Sequence, residues 1–219
     1  MTLLVQRTVI DLTPSKLSAA HNKLILDASV LINILGTGSP DAILKVMNRV
    51  VAVDEIALRE VTINPFTREN PAELLIQLQN KGLIVVERMD EDAYNLFIGL
   101  TGAEPPDDLD DGEAATLAQA AHKGYVAVID EKKATRVAGV VFPEAVLLNS
   151  LDLLASPEML QQSGRDELAH IVYLALRNAR MRVPSSQLSW IVNLLGVGRA
   201  QQCPSLGLLP DVRFSPQSR

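Results

Sequence analysis

Short apolar runs that end on an acidic residue recur along this chain, and they predict the strands of a buried sheet. The first is Leu24-Ile25-Leu26, followed by Asp27, and the pattern returns at residues 50–53, before Asp54, and 126–129, before Asp130. An apolar run without polar alternation is typical of a strand covered on both faces, as in a parallel sheet. Each acid therefore marks a carboxyl end of a strand, where open α/β sheets bind their ligands.

The segments between these runs carry helix signals. Ser39 and Pro40 open one predicted helix, Asn70 and Glu73 form a predicted capping box, and glycines close several others. The predicted helices are residues 30–35, 39–49, 55–61, 70–82, 90–100, 110–121, 131–138, 166–179 and 185–195. Further strands are predicted at 83–86 and 140–142. Strands that alternate with helices predict an α/β fold with a mostly parallel sheet covered by helices on both faces.

The pattern also predicts a division of the chain. Residues 22–155 form the α/β domain, residues 156–200 a helical extension, and residues 201–219 an irregular, proline-containing tail. Residues 1–21 form an N-terminal extension, in which residues 3–5 and 8–10 either add an edge strand or pack loosely. The helical extension carries an apolar stripe that includes Trp190, which is expected to pack on the α/β domain or on an identical subunit.

The composition is that of an ordinary globular protein, with 47% apolar and 21% charged residues. The single cysteine, Cys203, excludes an intramolecular disulfide and fits a reducing compartment. No charge-free apolar run reaches membrane-spanning length, and Arg7 and Asp11 interrupt any signal-like stretch at the start. We therefore expect a cytoplasmic protein without a membrane partner.

The net charge of −6 is unevenly distributed. Residues 1–163 hold 13 Lys/Arg and 23 Asp/Glu, whereas residues 164–219 hold 7 Arg and 3 Asp/Glu. Phosphate backbones respond to local basic patches rather than to the total charge, so a nucleic-acid partner remains compatible with this composition.

Several acids are expected to meet at one edge of the sheet. Asp27 and Asp130 end two strands, Glu113 and Asp110 start the helix that leads into the Asp130 strand, and Glu60 follows the second strand by one short helix. Clustered carboxylates raise one another's pKa, so a cation is expected to lie among them. A site with only oxygen ligands favours Mg²⁺ or Mn²⁺. For Asp27 the alternative is a helix N-cap.

Four motifs in this order resemble those of the PIN-domain nucleases, over roughly residues 22–150. They are Leu24-Ile25-Leu26-Asp27-Ala28-Ser29, Arg59-Glu60-Val61, Leu109-Asp110-Asp111-Gly112-Glu113-Ala114 and Val128-Ile129-Asp130-Glu131. The likeness is closest to a toxin-like branch with a Leu-Asp-x-Gly-Glu-Ala motif. It implies a PIN-like three-layer α/β/α fold, with a C-terminal helical extension after the mostly parallel central sheet.

The resemblance also implies a function and roles for single residues. The acidic quartet would be Asp27, Glu60, Glu113 and Asp130. Asp110 would be an additional metal ligand, Ser29 a hydrogen-bonding neighbour of the first acid, and Glu131 an auxiliary after the fourth. Family members are typically metal-dependent endoribonucleases, often toxins held by an antitoxin. The chain is thus expected to hydrolyse RNA with one or two Mg²⁺ or Mn²⁺ ions, with an antitoxin and a homodimer as further possible partners.

Two alternatives stay open at this point. Lys132, Lys133 and Arg136 either bind RNA backbone at the rim of the acidic site or form a solvated helix face. The arginines at 177, 180 and 182 are interpreted as surface charge. The protein as a whole is either the nuclease described above or a non-catalytic RNA-binding or scaffold protein on the same fold.

Overall fold

The computed structural model describes residues 13–207. The possible edge strand at residues 3–5 and 8–10 lies outside the described residues, as does most of the predicted irregular tail. Within residues 13–207 no single helix is long and apolar enough to cross a membrane, and one pair of helices passes that test only together, across a bend of 117°.

Five parallel strands form the sheet of the described residues. They are β1 Lys23–Leu26, β2 Val50–Asp54, β3 Val85–Glu87, β4 Val126–Val128 and β5 Leu147–Leu148, in the order β3-β2-β1-β4-β5. Ile25 in the central strand pairs with Ala52 on one side and with Ala127 on the other. The fully apolar runs therefore occupy the middle of the sheet, as their lack of alternation predicts.

Helices connect and cover the strands. They are α1 Ala28–Gly36, α2 Pro40–Met47, α3 Glu55–Glu60, α4 Ala72–Asn80, α5 Glu91–Thr101, α6 Asp111–Lys123, α7 Lys132–Val141, α8 Ser150–Leu154, α9 Pro157–Asn178, α10 Leu188–Leu195 and α11 Val197–Gln201. Short 3₁₀ turns occur at Ser185–Gln187 and Pro204–Leu206. Helix α9 is interrupted at Gly164, whose φ of 75° lies in the left-handed region.

Side chains of β1 alternate between two helical layers. Leu24 and Leu26 belong to a core with α1, α2, α9 and α10, whereas Ile25 belongs to a second core with α5, α6 and α7. Because successive residues of a strand point to opposite faces, one apolar strand supports both layers. The molecule is thus a three-layer α/β/α structure built on a parallel sheet, which confirms the predicted fold class at this level.

The C-terminal helices share the core of the sheet. Helix α9 packs on α1 and α2, and its Leu168, Val172 and Leu176 are fully buried together with Ile191 of α10. Residues 156–200 therefore contribute to the layer that covers one face of the sheet.

Two local predictions are wrong, and one predicted strand begins later than expected. Residues 140–142 do not form the last strand: Val140 and Val141 end α7 and are exposed, because the buried residues before them, Ala134, Val137 and Ala138, follow helical spacing. The fifth strand is instead Leu147–Leu148. The predicted strand at 83–86 begins later, at Val85, since the Leu83 amide still donates to a carbonyl of α4.

The predicted capping box does not form at Asn70. Pro71 is the N-cap of α4, and Asn70 Oδ1 accepts a hydrogen bond from the Ala72 amide at 2.8 Å. A capping box forms instead between Asn149 and Asp152 at the start of α8.

The strand order has one feature that decides where ligands bind. From β1 the sheet grows in one direction through β2 and β3, and in the other through β4 and β5. Such a reversal leaves a crevice outside the carboxyl ends of the two central strands. In this protein the crevice lies between β1 and β4, the strands that Asp27 and Asp130 follow.

Candidate functional site

A cavity of about 400 Å³ lies at this crevice. The Asp27 amide donates to the Val128 carbonyl at 3.1 Å, so the ends of β1 and β4 are joined just below it. The carboxylates predicted as metal ligands and the two predicted auxiliary residues all line the cavity: Asp27, Ser29, Glu60, Asp110, Glu113, Asp130 and Glu131. Residues that are separated by about a hundred positions in the sequence are therefore brought together, because parallel strands end at a common edge.

Asp27 is both a helix cap and a cavity residue. Its Oδ2 accepts hydrogen bonds from the Ser29 amide at 3.2 Å and from Ser29 Oγ at 2.5 Å, which caps α1. Burial raises the pKa of Asp27, and the hydrogen bonds from Ser29 act against that rise. The two interpretations of Asp27 are thus compatible, and Ser29 has the predicted hydrogen bond to it.

Asp110 and Glu113 form a coupled pair at the start of α6. Asp110 is the N-cap, and the two side chains share a hydrogen bond. Burial raises the pKa of Glu113 to about 8, whereas the hydrogen bond from Glu113 lowers the pKa of Asp110. At neutral pH Glu113 therefore holds a proton that it donates to Asp110. Oε2 of Glu113 is buried and has no hydrogen-bond partner among residues 13–207.

Glu60 reaches the same cavity from α3 because Gly112 leaves room for it. A Cβ placed on Gly112 would lie 2.8 Å from Cδ of Glu60, well inside van der Waals contact. Burial and the negative charges of Asp27 and Asp110 raise the pKa of Glu60. The glycine of the Leu109–Ala114 motif, to which the sequence analysis assigned no role, thus allows a close approach between α3 and α6.

Asp130 is the most completely bonded of the acids. Its Oδ1 accepts from the Ser150 amide at 2.8 Å, and its Oδ2 accepts from Ser150 Oγ at 2.6 Å and from Asn33 Nδ2 at 2.7 Å. Burial raises its pKa, and these bonds oppose the rise. Asn33 and Ser150 are functional residues that sequence reasoning missed. Asn33 could have been found, since it is polar in an apolar helix and lies one turn after Ser29.

Four of the acids have the raised pKa that the sequence predicted. Burial is the first cause at Asp27, Glu60, Glu113 and Asp130, and neighbouring carboxylates add to the rise at each. The carboxylates are therefore held in a partly desolvated cleft, where a cation would replace protons.

Arginines close one side of the cavity. Arg180 and Arg182 follow α9 and line the cavity, and Arg182 forms an ion pair with Glu131. The segment is anchored by a hydrogen bond of 2.8 Å from Asn178 Nδ2 to the Gly36 carbonyl and by the buried side chain of Met181. The interpretation of Arg180 and Arg182 as surface charge is therefore incomplete: both side chains are exposed, and both also belong to the wall of the acidic cavity.

The three predicted RNA-binding residues of α7 separate into two groups. The positive charge of Lys133 lowers the pKa of both Asp110 and Glu113, so this side chain acts on the acids. Lys132 and Arg136, four residues apart on the other face of the helix, line a second cavity. Arg136 also donates to Asp107 at 2.6 Å.

The donor set suits a hard divalent cation. The cavity offers carboxylate oxygens without thiolate or imidazole, and one of these oxygens, Oε2 of Glu113, is buried without a hydrogen-bond partner in the described chain. Within residues 13–207, no group of three or more His, Cys, Asp or Glu side chains is already arranged to hold a metal ion. Cation binding would thus require the acids to rotate toward a common point and Glu113 to release its proton.

Comparisons with known proteins return no match: no family model, no curated protein and no solved structure is similar to this chain.

Proposed function

We propose that this protein is a PIN-like, Mg²⁺- or Mn²⁺-dependent endoribonuclease. The observation that carries the proposal is the meeting of five carboxylates in one cavity at the point where the strand order reverses. The resemblance of the four motifs to PIN-domain nucleases supports the same activity.

Each acid has a part in this proposal. Asp27, Glu60, Asp110, Glu113 and Asp130 would hold the cation, which when bound would neutralise charge on a phosphodiester and lower the pKa of the attacking water. Ser29 orients Asp27 through its two hydrogen bonds. Asn33 and Ser150 orient Asp130 in the same way, and one lone pair on Oδ1 is left for a further ligand.

RNA fits the charges around the cavity. Arg180 and Arg182 lie on its wall, and Lys133 acts on its acids from α7. One guanidinium group can donate two parallel hydrogen bonds to a phosphate. These side chains would therefore hold the backbone of an RNA strand whose phosphodiester lies over the carboxylates. The likeness to toxin-like PIN proteins extends the proposal to a toxin that an antitoxin holds inactive in the cytoplasm.

The experiment is a cleavage assay on a fluorescent single-stranded RNA with Mn²⁺, with Mg²⁺ and with EDTA. Wild-type protein should cut in either metal and be inactive in EDTA. Glu60→Gln should lose cleavage, whereas Asp92→Asn, which removes an exposed carboxylate on α5, should behave like wild type. Cleavage that persists in EDTA would refute the proposal.

One observation favours a second candidate, a non-catalytic RNA-binding protein. Both oxygens of Asp130 already accept hydrogen bonds, and Glu131 is engaged by Arg182. If the protein binds RNA equally well in EDTA and in Mn²⁺, and produces no cleavage product in Mn²⁺ or in Mg²⁺, the result would support this candidate over the nuclease.

The toxin role has its own test. Expression of wild-type protein should stop growth, and expression of Glu60→Gln should not. Growth restored by co-expression of a small protein encoded next to this chain would identify the antitoxin. Normal growth with active wild-type protein would contradict the toxin role and leave the nuclease activity standing.

A further inference from the structure

A second cavity of about 400 Å³ adjoins the acidic one. Asp130 and Arg182 line both cavities, so the two share a wall at the carboxyl end of β4. The acidic cavity lies on the β1 side of Asp130, and the second lies on the β5 side, bordered by α7 and by the segment that follows Arg182. A chain that crosses the carboxylates in this direction enters the second cavity next.

Four exposed cationic side chains line the second cavity, and two of them are ion-paired, Arg136 with Asp107 and Arg182 with Glu131. Lys16, Lys132, Arg136 and Arg182 all line it, and all four side chains are exposed to solvent. They come from three separate parts of the chain: the segment before β1, helix α7 and the segment after α9. The tertiary structure therefore brings these exposed positive charges together. Basic residues along one helix would be neighbours without it.

Apart from Asp130, Thr135 and Asn149, the remaining lining is apolar. Ile129 and Leu148 are buried at its base, and Leu147, Val183 and Pro184 are partly exposed around them. A cavity of this size with an apolar base and a few charged groups at its mouth is the usual form of a small-ligand site. A purely electrostatic contact with a phosphate backbone would need no such base.

We propose that this second cavity, the basic subsite, binds one nucleotide of a single-stranded RNA, the nucleotide adjacent to the phosphodiester held by the acids. Its base lies on the apolar surface formed by Leu147, Leu148 and Val183, and its own phosphate is held by Lys132 and Arg136. This assignment of substrate rests on the proposed nuclease function.

Single-stranded RNA fits better than an acidic peptide. A nucleotide joins an apolar planar base to an anion, and the lining offers a counterpart to each part. A glutamate or aspartate side chain has no apolar face of comparable size. The subsite also continues into a cavity lined by carboxylates, which repels peptide acids, whereas a phosphodiester there shares the cation that the acids hold.

Equilibrium dialysis of the full chain with adenosine 5′-monophosphate in EDTA tests the subsite without any cleavage. The nucleotide should bind, and adenosine and inorganic phosphate should each bind more weakly, since each fills one part of the site. The double variant K132Q/R136Q should weaken nucleotide binding by about 10-fold. The matched control R59Q/R88Q, which removes two exposed arginines that pair with Glu55 instead, should leave it unchanged.

A variant that fills the cavity gives a second measurement. Thr135 lines the subsite and is exposed, so Thr135→Trp should block nucleotide binding without disturbing the core. In the cleavage assay the same variant should raise KM for single-stranded RNA with little change in kcat. A far-ultraviolet circular dichroism spectrum and a melting curve like those of wild type establish that it folds.

The outcomes separate the two proposals. Nucleotide binding that depends on Lys132 and Arg136, in a protein that never cuts RNA, supports the subsite and overturns the nuclease. Metal-dependent cleavage with no nucleotide binding, or with the same KM in Thr135→Trp, overturns the subsite and supports the nuclease. Tighter binding of a hexaglutamate peptide than of the nucleotide at this cavity also overturns the subsite.

Discussion

Two strand ends of this protein share one sequence pattern and have different surroundings. In Leu24-Ile25-Leu26-Asp27 and in Val51-Ala52-Val53-Asp54, three apolar residues precede an aspartate, and a helix follows. Both aspartates cap that helix: Asp27 accepts from the Ser29 amide and Asp54 from the Ile56 amide, at 2.8 Å in the second case. Local sequence therefore produces the same local structure twice.

The surroundings differ because of the position in the sheet. Asp27 ends β1, beside the crevice, and its carboxylate lines the acidic cavity. Asp54 ends β2, one strand farther from the reversal, under helix α6. It is fully buried, and its second oxygen accepts from Gln119 Nε2 at 2.9 Å. The carboxylate of Asp27 is thus available to a ligand, whereas both oxygens of Asp54 accept hydrogen bonds within the protein core.

The comparison shows that an acid after an apolar strand does not by itself mark a site. Asp27 differs from Asp54 in two respects. Other carboxylates lie close to it, and among the described residues no side chain donates to its Oδ1 as Gln119 donates to Asp54. Substitutions at the two positions should therefore separate activity from stability.

The largest expected difference is in the cleavage rate. Asp27→Asn should lower it at least ~10²-fold, because a ligand of the cation is lost. Asp54→Asn should change the rate per folded molecule less than about twofold. Single-turnover cleavage of RNA in Mn²⁺, normalised to the folded fraction, measures both. Equal losses in the two variants would remove the distinction between the strand ends.

Stability should show the opposite order. Asp54→Ala removes a helix cap and leaves the buried Nε2 of Gln119 without its acceptor, so it should cost about 3 kcal/mol. Asp27→Ala also removes a cap but relieves repulsion among the acids, so its net cost should be below about 1 kcal/mol. Urea unfolding in EDTA provides the values. A larger loss for the Asp27 variant would contradict this account of the cavity.

Metal should stabilise one variant more than the other. The proposed nuclease binds Mn²⁺ in its folded cavity, so the ion should raise the melting temperature of wild type and of Asp54→Asn by a similar amount. Asp27→Asn should gain distinctly less. Differential scanning fluorimetry with EDTA and with Mn²⁺ makes the comparison, with Ca²⁺ as a second hard cation. An equal gain in all three proteins would place the ion elsewhere.

A further expected effect concerns the pH dependence of stability. Burial raises the pKa of Glu113 to about 8 from an ordinary 4.5, so the folded state binds this proton more tightly than the unfolded chain does. Its contribution is therefore complete below pH 4.5 and is lost as the pH rises toward about 8. The melting temperature in EDTA, measured between pH 5 and pH 8.5, should fall more steeply with rising pH for wild type than for Glu113→Gln. Parallel curves would mean that Glu113 does not hold the proton.

Neutralising Asp130 is a poor test of repulsion among the acids. The carboxylate of Asp130 accepts three hydrogen bonds, from the Ser150 amide, Ser150 Oγ and Asn33 Nδ2. An asparagine there would relieve repulsion but would also disturb those bonds, so the two effects oppose each other.

The errors of the sequence analysis have physical causes. Val140, Val141 and Phe142 form an apolar run of the length of a short strand. Val140 and Val141 nevertheless belong to helix α7, whose buried face is formed by Ala134 and Val137, and Phe142 is the C-cap. The basic residues Arg180 and Arg182 looked like surface charge, because nothing in the local sequence indicates that α9 ends beside the acids. Asn33 and Ser150 were missed because each acts through Asp130, 97 and 20 positions away.

The sequence by itself determined the apolar strands, the capping of α1 by Asp27 and the placement of acids at carboxyl strand ends. Those features depend on period, length and nearest neighbours, which are local properties. Only the tertiary structure decided that Asp27 lines a cavity while Asp54 bonds to Gln119, and that Asp130 and Arg182 separate an acidic cavity from a basic one. These outcomes depend on strand order and on helix packing, where contacts join residues far apart in the chain and no local pattern specifies the partner.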